Sequence, residues 1–120
     1  MSALSEVDIR DFPKAKGDRF NAGKPRMDLI DAQALEGLAQ VLTFGAKKYA
    51  AHNWRNGLSF SETLGSMLRH IAAIQRGEMV DPESGLPHID HIGCNWMFLS
   101  NFMKNERYNA FNDIWKPNAD

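Results

Sequence analysis

The stretch that decides the fold is residues 87–103, PHIDHIGCNWMFLSNFM. Apolar side chains recur in it at intervals of three, four, three and four residues: Ile89, Ile92, Trp96, Leu99 and Met103. This alternation places them on one face of an α-helix, because a turn takes 3.6 residues. Pro87 suits the first position, where a missing N–H costs nothing. We therefore predict a helix over these residues, with its apolar stripe against the core.

Two further helices are predicted on the N-terminal side. The first runs from about Asp31 to Tyr49, with Asp28 and Asp31 as candidate caps. The second opens at a capping box formed by Ser59 and Glu62 and ends before Gly77. Their apolar stripes are Leu35, Leu38, Leu42 and Tyr49 in the first, and Leu64, Met67, Leu68, Ile71 and Ile74 in the second.

The rest of the chain gives weaker signals. Residues 1–20 have no sustained period and predict an irregular N-terminal arm, leaving residues 21–120 as one helical domain. A short C-terminal helix is predicted near Tyr108 to Trp115, and no alternating strand pattern is present. The expected fold is all-α, with three main helices. One apolar stripe per helix and a modest core favour a homo-oligomer that completes the packing.

Composition narrows the functional classes. The 120 residues contain 14 Lys and Arg against 15 Asp and Glu, which argues against a nucleic-acid-coating protein because those need a basic excess. The sequence contains no run of 18 apolar residues, so no membrane-spanning helix is predicted. Cys94 is the single cysteine, so no intramolecular disulfide can form and a reducing cytoplasm is the expected compartment. A buried, inert thiol is its expected state.

The most unusual segment, residues 78–91, is rich in carboxylates and imidazoles. The candidate metal ligands are Glu78, Asp81, Glu83, His88 and His91. His88 and His91 share a helical face, and this donor mixture suits Mg²⁺ or Mn²⁺, which would neutralise phosphate charge. The alternative interpretation is a solvated acidic loop whose histidines form local hydrogen bonds.

Cationic residues precede or flank the helices. Lys24 and Arg26 lie just before the first helix, where backbone amides attract anions. They are therefore candidate phosphate ligands. The alternative is a solvated basic turn. Arg69 could grip a phosphate with Glu62 orienting it, or form only a structural ion pair. Lys47, with its neighbours Lys48 and Arg55, adds positive charge around the next loop.

That loop also offers aromatic and amide groups. A nucleobase could stack on Tyr49 or Trp54 and be recognised by the amide of Asn53. For Trp54 the alternative is a structural role, in which its side chain extends from the loop and packs into the core. Taken together, the groups predict binding of a phosphate-bearing small molecule, most simply a nucleotide.

Four ordered motifs carry a resemblance to a known family. They are GKPRMDLI (23–30), FGAKKYAAHNWRNGLSF (44–60), LRHIAAIQRGE (68–78) and DPESGLPHIDHIGCNWMFL (81–99). The chain resembles the phage dATP/dGTP diphosphohydrolase N-terminal domains, a family described as distantly similar to the all-α MazG-type pyrophosphohydrolases. The resemblance implies a metal-dependent, oligomeric domain in the host cytoplasm that hydrolyses purine deoxynucleoside triphosphates to monophosphate and pyrophosphate.

The sequence departs from the MazG-type pattern of an E-x-x-E pair and an E-x-x-D pair. On the second helix Glu62 shares its face with Ser66 and Arg69, and the third helix has His88 and His91 at that spacing. Two functional hypotheses remain open beside a third, that the chain is a purely structural oligomer. One is metal-assisted hydrolysis, with Glu83 or His70 as the base. The other is a phage protein that binds or sequesters a nucleotide, or a nucleotide-derived immune signal, without cleaving it.

Both hypotheses require three segments to meet in one cavity. These are the turn at residues 23–26, the connection at residues 49–54 and the acidic-imidazole segment at residues 78–91.

Overall fold

The computed structural model of the protein describes residues 13 and 15–117. Within them lie three α-helices, which confirms the predicted fold class: α1 (Ala32–Lys48), α2 (Phe60–Gln75) and α3 (His88–Met103). Short 3₁₀ helices occupy Met27–Leu29, Asn53–Asn56 and Glu106–Phe111. The last of these replaces the predicted tail helix near Tyr108 to Trp115. Most of the predicted arm at residues 1–20 lies outside the described residues.

Helix boundaries follow local capping. The Asp31 carboxylate accepts a hydrogen bond from the Ala34 N–H at 2.8 Å and caps α1, whereas Asp28 pairs with a neighbouring arginine instead. The Ser59 hydroxyl accepts from the Glu62 N–H at 3.2 Å, so one half of the predicted capping box is present. Gly77, at φ +90°, follows the end of α2.

The α2 and α3 helices form an antiparallel pair. Phe60 at the start of α2 stacks on Phe102 near the end of α3, with ring centroids 5.6 Å apart. At the other end, His70 of α2 meets His88 of α3. Helix α1 approaches α3 on another side, where a Cβ on Gly37 would lie 2.5 Å from the Asp90 carboxylate. A side chain at this position would have to displace the Asp90 carboxylate.

An aromatic core joins this helix pair to the C-terminal segment. It consists of Phe60, Leu99, Phe102 and Tyr108. The Tyr108 hydroxyl donates to the Arg55 carbonyl at 2.8 Å. Farther along, the Asp113 carboxylate accepts from the hydroxyls of both Ser59 and Ser61 at 2.7 Å, which ties the tail to the start of α2.

The predicted apolar stripe of α3 does not face this core. Ile89, Trp96 and Met103 are 62, 59 and 60 % exposed, and Leu99 is the stripe residue that is buried. The helix instead buries the adjoining row that includes His88 and Phe102, because its contacts with α2 and α1 lie on those sides. Stripe residues are also exposed on the other helices: Leu35, Tyr49 and Leu68.

In the described ranges, no helix combines the length and the apolar character needed to cross a membrane.

Candidate functional site

A cavity of about 1010 Å³ opens between the C-terminal half of α1, the following loop, α2 and the start of α3. Ten of the residues singled out from sequence line it: Tyr49, Asn53, Trp54, Arg69, His70, Glu78, Asp81, Glu83, His88 and His91. The structure therefore brings together two of the three segments expected to meet, the 49–54 connection and the 78–91 segment.

The third segment lies elsewhere. Lys24 and Arg26 are exposed and do not line the cavity within the described chain. The Arg26 guanidinium binds both carboxylate oxygens of Asp28, at 3.1 and 2.7 Å, so its charge is already paired. Lys47 borders a separate shallow depression on α1 with Glu36 and Thr43.

Three imidazoles meet where α2 ends and α3 begins; we call His70, His88 and His91 the imidazole cluster. The Nδ1 atoms of His70 and His88 are 2.8 Å apart. One must donate and the other accept, so the pair shares a single proton. The His70 ring stacks on His91 with centroids 4.6 Å apart and an angle of 5° between the planes. The short α2–α3 distance at this end thus holds the three rings together.

Carboxylates surround the imidazole cluster. The Asp81 Oδ2 atom lies 3.4 Å from His91 Nε2, which is also 2.7 Å from the Ser84 hydroxyl. Glu78 Oε1 is 3.6 Å from His88 Nε2, too long for a hydrogen bond. His88 is only 5 % exposed, and this Nε2 atom has no hydrogen-bond partner in the described part of the chain. A buried donor left unpaired is costly, and such atoms commonly mark a functional site.

The ionisation of the cluster follows from its surroundings. Burial, followed by the neighbouring imidazoles His91 and His88, lowers the pKa of His70. Burial also lowers the pKa of His91, although Asp81 opposes the shift. Burial alone would raise the pKa of Asp81. The hydrogen bond from the Glu83 N–H and the charge of His91 lower the pKa by more, so the net shift is downward. At neutral pH the cluster therefore presents neutral His70 and His91 beside an ionised Asp81.

Cationic side chains line the cavity around these groups: Lys48, Arg55, Arg69 and Arg76. Lys48 binds Glu83 at 2.8 Å, which fixes the one carboxylate predicted both as ligand and as base. Arg69 is not paired with Glu62 among the described salt bridges, so its guanidinium is available to the cavity. The sequence analysis did not identify Arg76 as a candidate binding residue. Its signal was present, since it follows Arg69 by seven residues and so shares its helical face.

The loop after α1 is held by an unusual backbone conformation. His52 adopts φ +63°, in the left-handed region that residues other than glycine seldom occupy. Its Nδ1 accepts a hydrogen bond from Arg55 Nε at 3.1 Å. The strained turn therefore orients the Arg55 guanidinium at the cavity wall, a role that the sequence pattern did not indicate.

The three candidate base-binding residues differ in their availability. Trp54 stacks on Phe98 with ring centroids 4.9 Å apart, and the Arg55 guanidinium carbon lies 4.5 Å from its ring centroid. This packing matches the alternative interpretation of Trp54 as a core plug. Tyr49 is 66 % exposed at the rim, and Asn53 is exposed in the adjoining 3₁₀ turn. These two side chains are open to a ligand.

A divalent ion suits the chemistry of this donor set, because imidazole and carboxylate ligands together bind Mn²⁺ and related ions. The buried Nε2 atom of His88 could join such a set only in the tautomer that carries the hydrogen on Nδ1. In the ranges that the structure describes, however, no three histidine, cysteine or acidic side chains already converge on one point. Binding an ion here would require side chains to leave their present partners.

Fold and cavity together define an all-helical domain whose cavity combines cationic side chains with imidazoles. The family is shown by sequence. The family described as "dATP/dGTP diphosphohydrolase, N-terminal" matches residues 14–113, and the chain belongs to it. The match includes every described helix.

A curated relative points the same way. The chain is 35 % identical, over 83 residues, to a protein of Salmonella phage PMBT28 named dATP/dGTP diphosphohydrolase. The match covers 69 % of this chain and 28 % of the relative, so the chain spans less than a third of the relative's length. No solved structure matches the chain.

Proposed function

We propose that the cavity binds a purine deoxynucleoside triphosphate, dATP or dGTP, and hydrolyses it to the monophosphate and pyrophosphate. The observation that carries the proposal is the imidazole cluster, partly buried, at the wall of a cavity lined by four cationic side chains. The family description and the name of the phage relative support the substrate class.

The cations would bind the phosphates. A triphosphate is highly anionic, and guanidinium groups match its oxygens with two parallel hydrogen bonds. Arg69 lies in α2 and Arg76 is its C-cap residue about two turns further on, and both line the cavity, so they can hold successive phosphates. Tyr49 and Asn53 at the rim would receive the base, Tyr49 by stacking and Asn53 by its amide.

The hydrogen-bond pattern favours His70 as the group that takes a proton from water. If Nε2 of His88 carries the hydrogen that faces Glu78, then Nδ1 of His88 accepts from Nδ1–H of His70. That tautomer leaves Nε2 of His70 as a lone-pair acceptor, and within the described residues no side chain hydrogen-bonds it. The lowered pKa of His70 keeps this atom unprotonated near neutral pH.

The other candidate base, Glu83, is engaged by Lys48 and largely exposed. We therefore favour His70 for proton transfer, with His88 accepting its Nδ1–H.

A divalent ion, Mg²⁺ or Mn²⁺, is part of the proposal. Its ligands would come from four of the five predicted residues, Glu78, Asp81, Glu83 and His91, because Nε2 of His88 carries a hydrogen in the tautomer described above. When bound, such an ion would neutralise phosphate charge and polarise the phosphorus. Calorimetric titration of the protein with Mn²⁺ tests this separately from activity: wild type should bind, and His91→Ala should bind at least tenfold more weakly.

The central experiment is incubation of the protein with dATP and dGTP in the presence of each ion, with products separated by chromatography. Monophosphate and pyrophosphate are expected from the wild type. Arg69→Ala should raise KM or abolish turnover, while Arg19→Ala, exposed and away from the cavity, should behave as wild type. If neither product forms with either ion, the hydrolase proposal is wrong.

The absence of a converged ion site within the described ranges favours one second candidate, a domain that binds the nucleotide without cleaving it. Tight binding in calorimetry, with the nucleotide recovered intact, would identify that function. Release of pyrophosphate would exclude it.

A further inference from the structure

A polar pair bridges α2 and α3 beside the imidazole cluster, and the function proposed above gives it no role. Its members are Ser66 and Asn95, which we call the Ser66–Asn95 pair. Ser66 precedes His70 by four residues and Asn95 follows His91 by four, so each lies about one helical turn from an imidazole. Both side chains line the cavity. The pair is therefore part of the wall of the proposed nucleotide site.

The orientation of the Asn95 amide is fixed by its partners. Its Nδ2 atom lies 3.0 Å from the His91 carbonyl oxygen and 3.3 Å from the Ser66 hydroxyl oxygen. A carbonyl oxygen can only accept, so the amide nitrogen must face His91; turning the amide over would set two acceptors against each other. Both Nδ2 hydrogens are then used. The remaining polar atom of the side chain is Oδ1, an acceptor.

This Oδ1 atom is open to the cavity. It has no hydrogen-bond partner in the part of the chain that the structure describes. In the same part of the chain, the buried side-chain atoms that lack a partner belong to His88 and Asn101, so Oδ1 of Asn95 is not sealed inside the protein. Since Asn95 lines the cavity, a ligand that donates a hydrogen bond can reach this oxygen.

The Ser66 hydroxyl is the matching donor. Its oxygen accepts from Asn95, which leaves its own hydrogen for another acceptor. The hydroxyls of Thr43 and Thr63 each donate to the carbonyl four residues earlier, at 2.8 Å. Ser66 has no such bond among the described residues, so its O–H can point into the cavity. The pair thus offers one donor and one acceptor side by side.

We propose that the Ser66–Asn95 pair binds the 3′-hydroxyl of the substrate deoxyribose, an inference that rests on the proposed function. A hydroxyl group can donate one hydrogen bond and accept another at the same oxygen. The sugar hydroxyl would donate to Oδ1 of Asn95 and accept from the O–H of Ser66. A 2′-deoxynucleoside triphosphate has one free sugar hydroxyl, the one at C3′, so the pair can have only this partner on the sugar.

The position of the pair favours the sugar over the base. The α-phosphate, where cleavage releases pyrophosphate, would lie against the imidazole cluster and Arg69. Ser66 precedes Arg69 by three residues, so the pair lies about 5.4 Å, one helical turn, from the groups that face this phosphate. The sugar is bonded to the α-phosphate through its 5′ oxygen. The base lies beyond the sugar and would reach Tyr49 and Asn53 at the rim.

The first test changes the ligand and leaves the protein as it is. Steady-state hydrolysis with Mn²⁺ is measured for dATP and for 2′,3′-dideoxy-ATP, which lacks only the 3′-hydroxyl. Wild type should have a kcat/KM at least about tenfold higher for dATP, because the analogue leaves both protein groups unpaired. Calorimetric binding of the two corresponding monophosphates should show the same preference without any turnover.

Two variants assign the preference to the pair. In Ser66→Ala and in Asn95→Ala, the ratio of kcat/KM for dATP to kcat/KM for dideoxy-ATP should fall towards one. Ser100→Ala is the matched control and should keep the wild-type ratio, since Ser100 accepts from Lys104 and is not a cavity residue in the described chain. Each ratio compares two ligands on one protein, so a general loss of stability or activity cancels.

Folding of the variants is checked by circular dichroism. Alanine favours helix, so both should keep their helical signal. Should Asn95→Ala lose it, Ser66→Ala together with the wild-type comparison of the two ligands decides.

The outcomes separate this inference from the proposed function. Equal kcat/KM for dATP and dideoxy-ATP in wild type overturns the inference and leaves the proposed hydrolysis intact. A preference that both variants retain also overturns it, because the hydroxyl would then be bound elsewhere. If dATP is bound but not cleaved, calorimetric affinities for the same two nucleotides replace kcat/KM in the comparison. If dATP is neither bound nor cleaved, the proposed function fails and the inference fails with it.

Discussion

The two ends of the α2–α3 pair are built from opposite chemistry. At one end Phe60 and Phe102 bury aromatic rings almost completely. At the other end His70 and His88 meet at 2.8 Å, and a buried nitrogen has no partner in the described chain. The same pair of helices thus supports a close-packed core at one end and, about three to four turns away, a polar cluster.

The difference is energetic as well as chemical. Burying one phenylalanine side chain stabilises the fold by about 2–3 kcal/mol. Leaving a polar atom such as His88 Nε2 buried without a partner costs about 1–3 kcal/mol. The aromatic end therefore offsets a site that is unfavourable for stability. Proteins retain such sites for function.

The largest expected effect is at the aromatic end. Phe102→Ala should lower the free energy of unfolding by about 3–5 kcal/mol, because it removes a fully buried ring and leaves a cavity. Urea denaturation followed by circular dichroism measures it. Phe20→Ala, at a side chain 87 % exposed, is the matched control and should change stability little. Equal effects of the two substitutions would contradict the assigned core.

The imidazole end should respond in activity rather than stability. His70→Gln should lower kcat by roughly 100-fold or more, because it removes the proposed proton acceptor while keeping similar volume. Steady-state pyrophosphate release measures kcat, and a thermal melt shows whether the fold survives. In wild type the acid limb of the pH–rate profile should lie below pH 6.5, following the lowered pKa of His70. Full activity with an unchanged acid limb in His70→Gln would exclude this role.

A smaller effect tests the link between the two ends. Tyr108→Phe removes the hydroxyl that donates to the Arg55 carbonyl, and should cost about 1 kcal/mol of unfolding free energy. Tyr49→Phe, at an exposed ring, is the control for stability and should cost far less. Because Arg55 lies in the cavity loop, Tyr108→Phe should also raise KM. An unchanged KM would show that the contact between Tyr108 and Arg55 does not influence substrate binding in the cavity.

The smallest effect is the pH dependence of stability. His70 and His91 have lowered pKa values in the fold, so below pH 6.5 the unfolded chain takes up protons first. Stability is then complete above pH 6.5 and is lost as pH falls towards the lowered values. The melting temperature should decrease by a few degrees between about pH 7.5 and about pH 5.5. The double variant His70→Gln/His91→Gln should flatten that slope, and a slope of opposite sign would contradict the burial of these rings.

Local signals in the sequence were sufficient for the helices. Each of these signals depends on neighbours within about one turn of a helix. They are the spacing in residues 87–103 and the caps at Ser59 and Asp31. The same reasoning placed His88 and His91 on one face beside the core. It erred on the burial of Ile89 and Trp96, because periodicity defines an apolar face without saying which molecule covers it.

What the sequence by itself determined is the set of helices, the family, and the carboxylates and imidazoles gathered in residues 78–91. Only the tertiary structure decided which groups meet. His70 contacts His88, which is 18 residues away in the sequence, and Lys48 binds Glu83, which is 35 residues away. Lys24 and Arg26 lie outside the cavity. The physical reason is that capping and periodicity are properties of single helices. The cavity instead depends on how three helices rotate and pack against one another, which is set by contacts between residues distant in sequence.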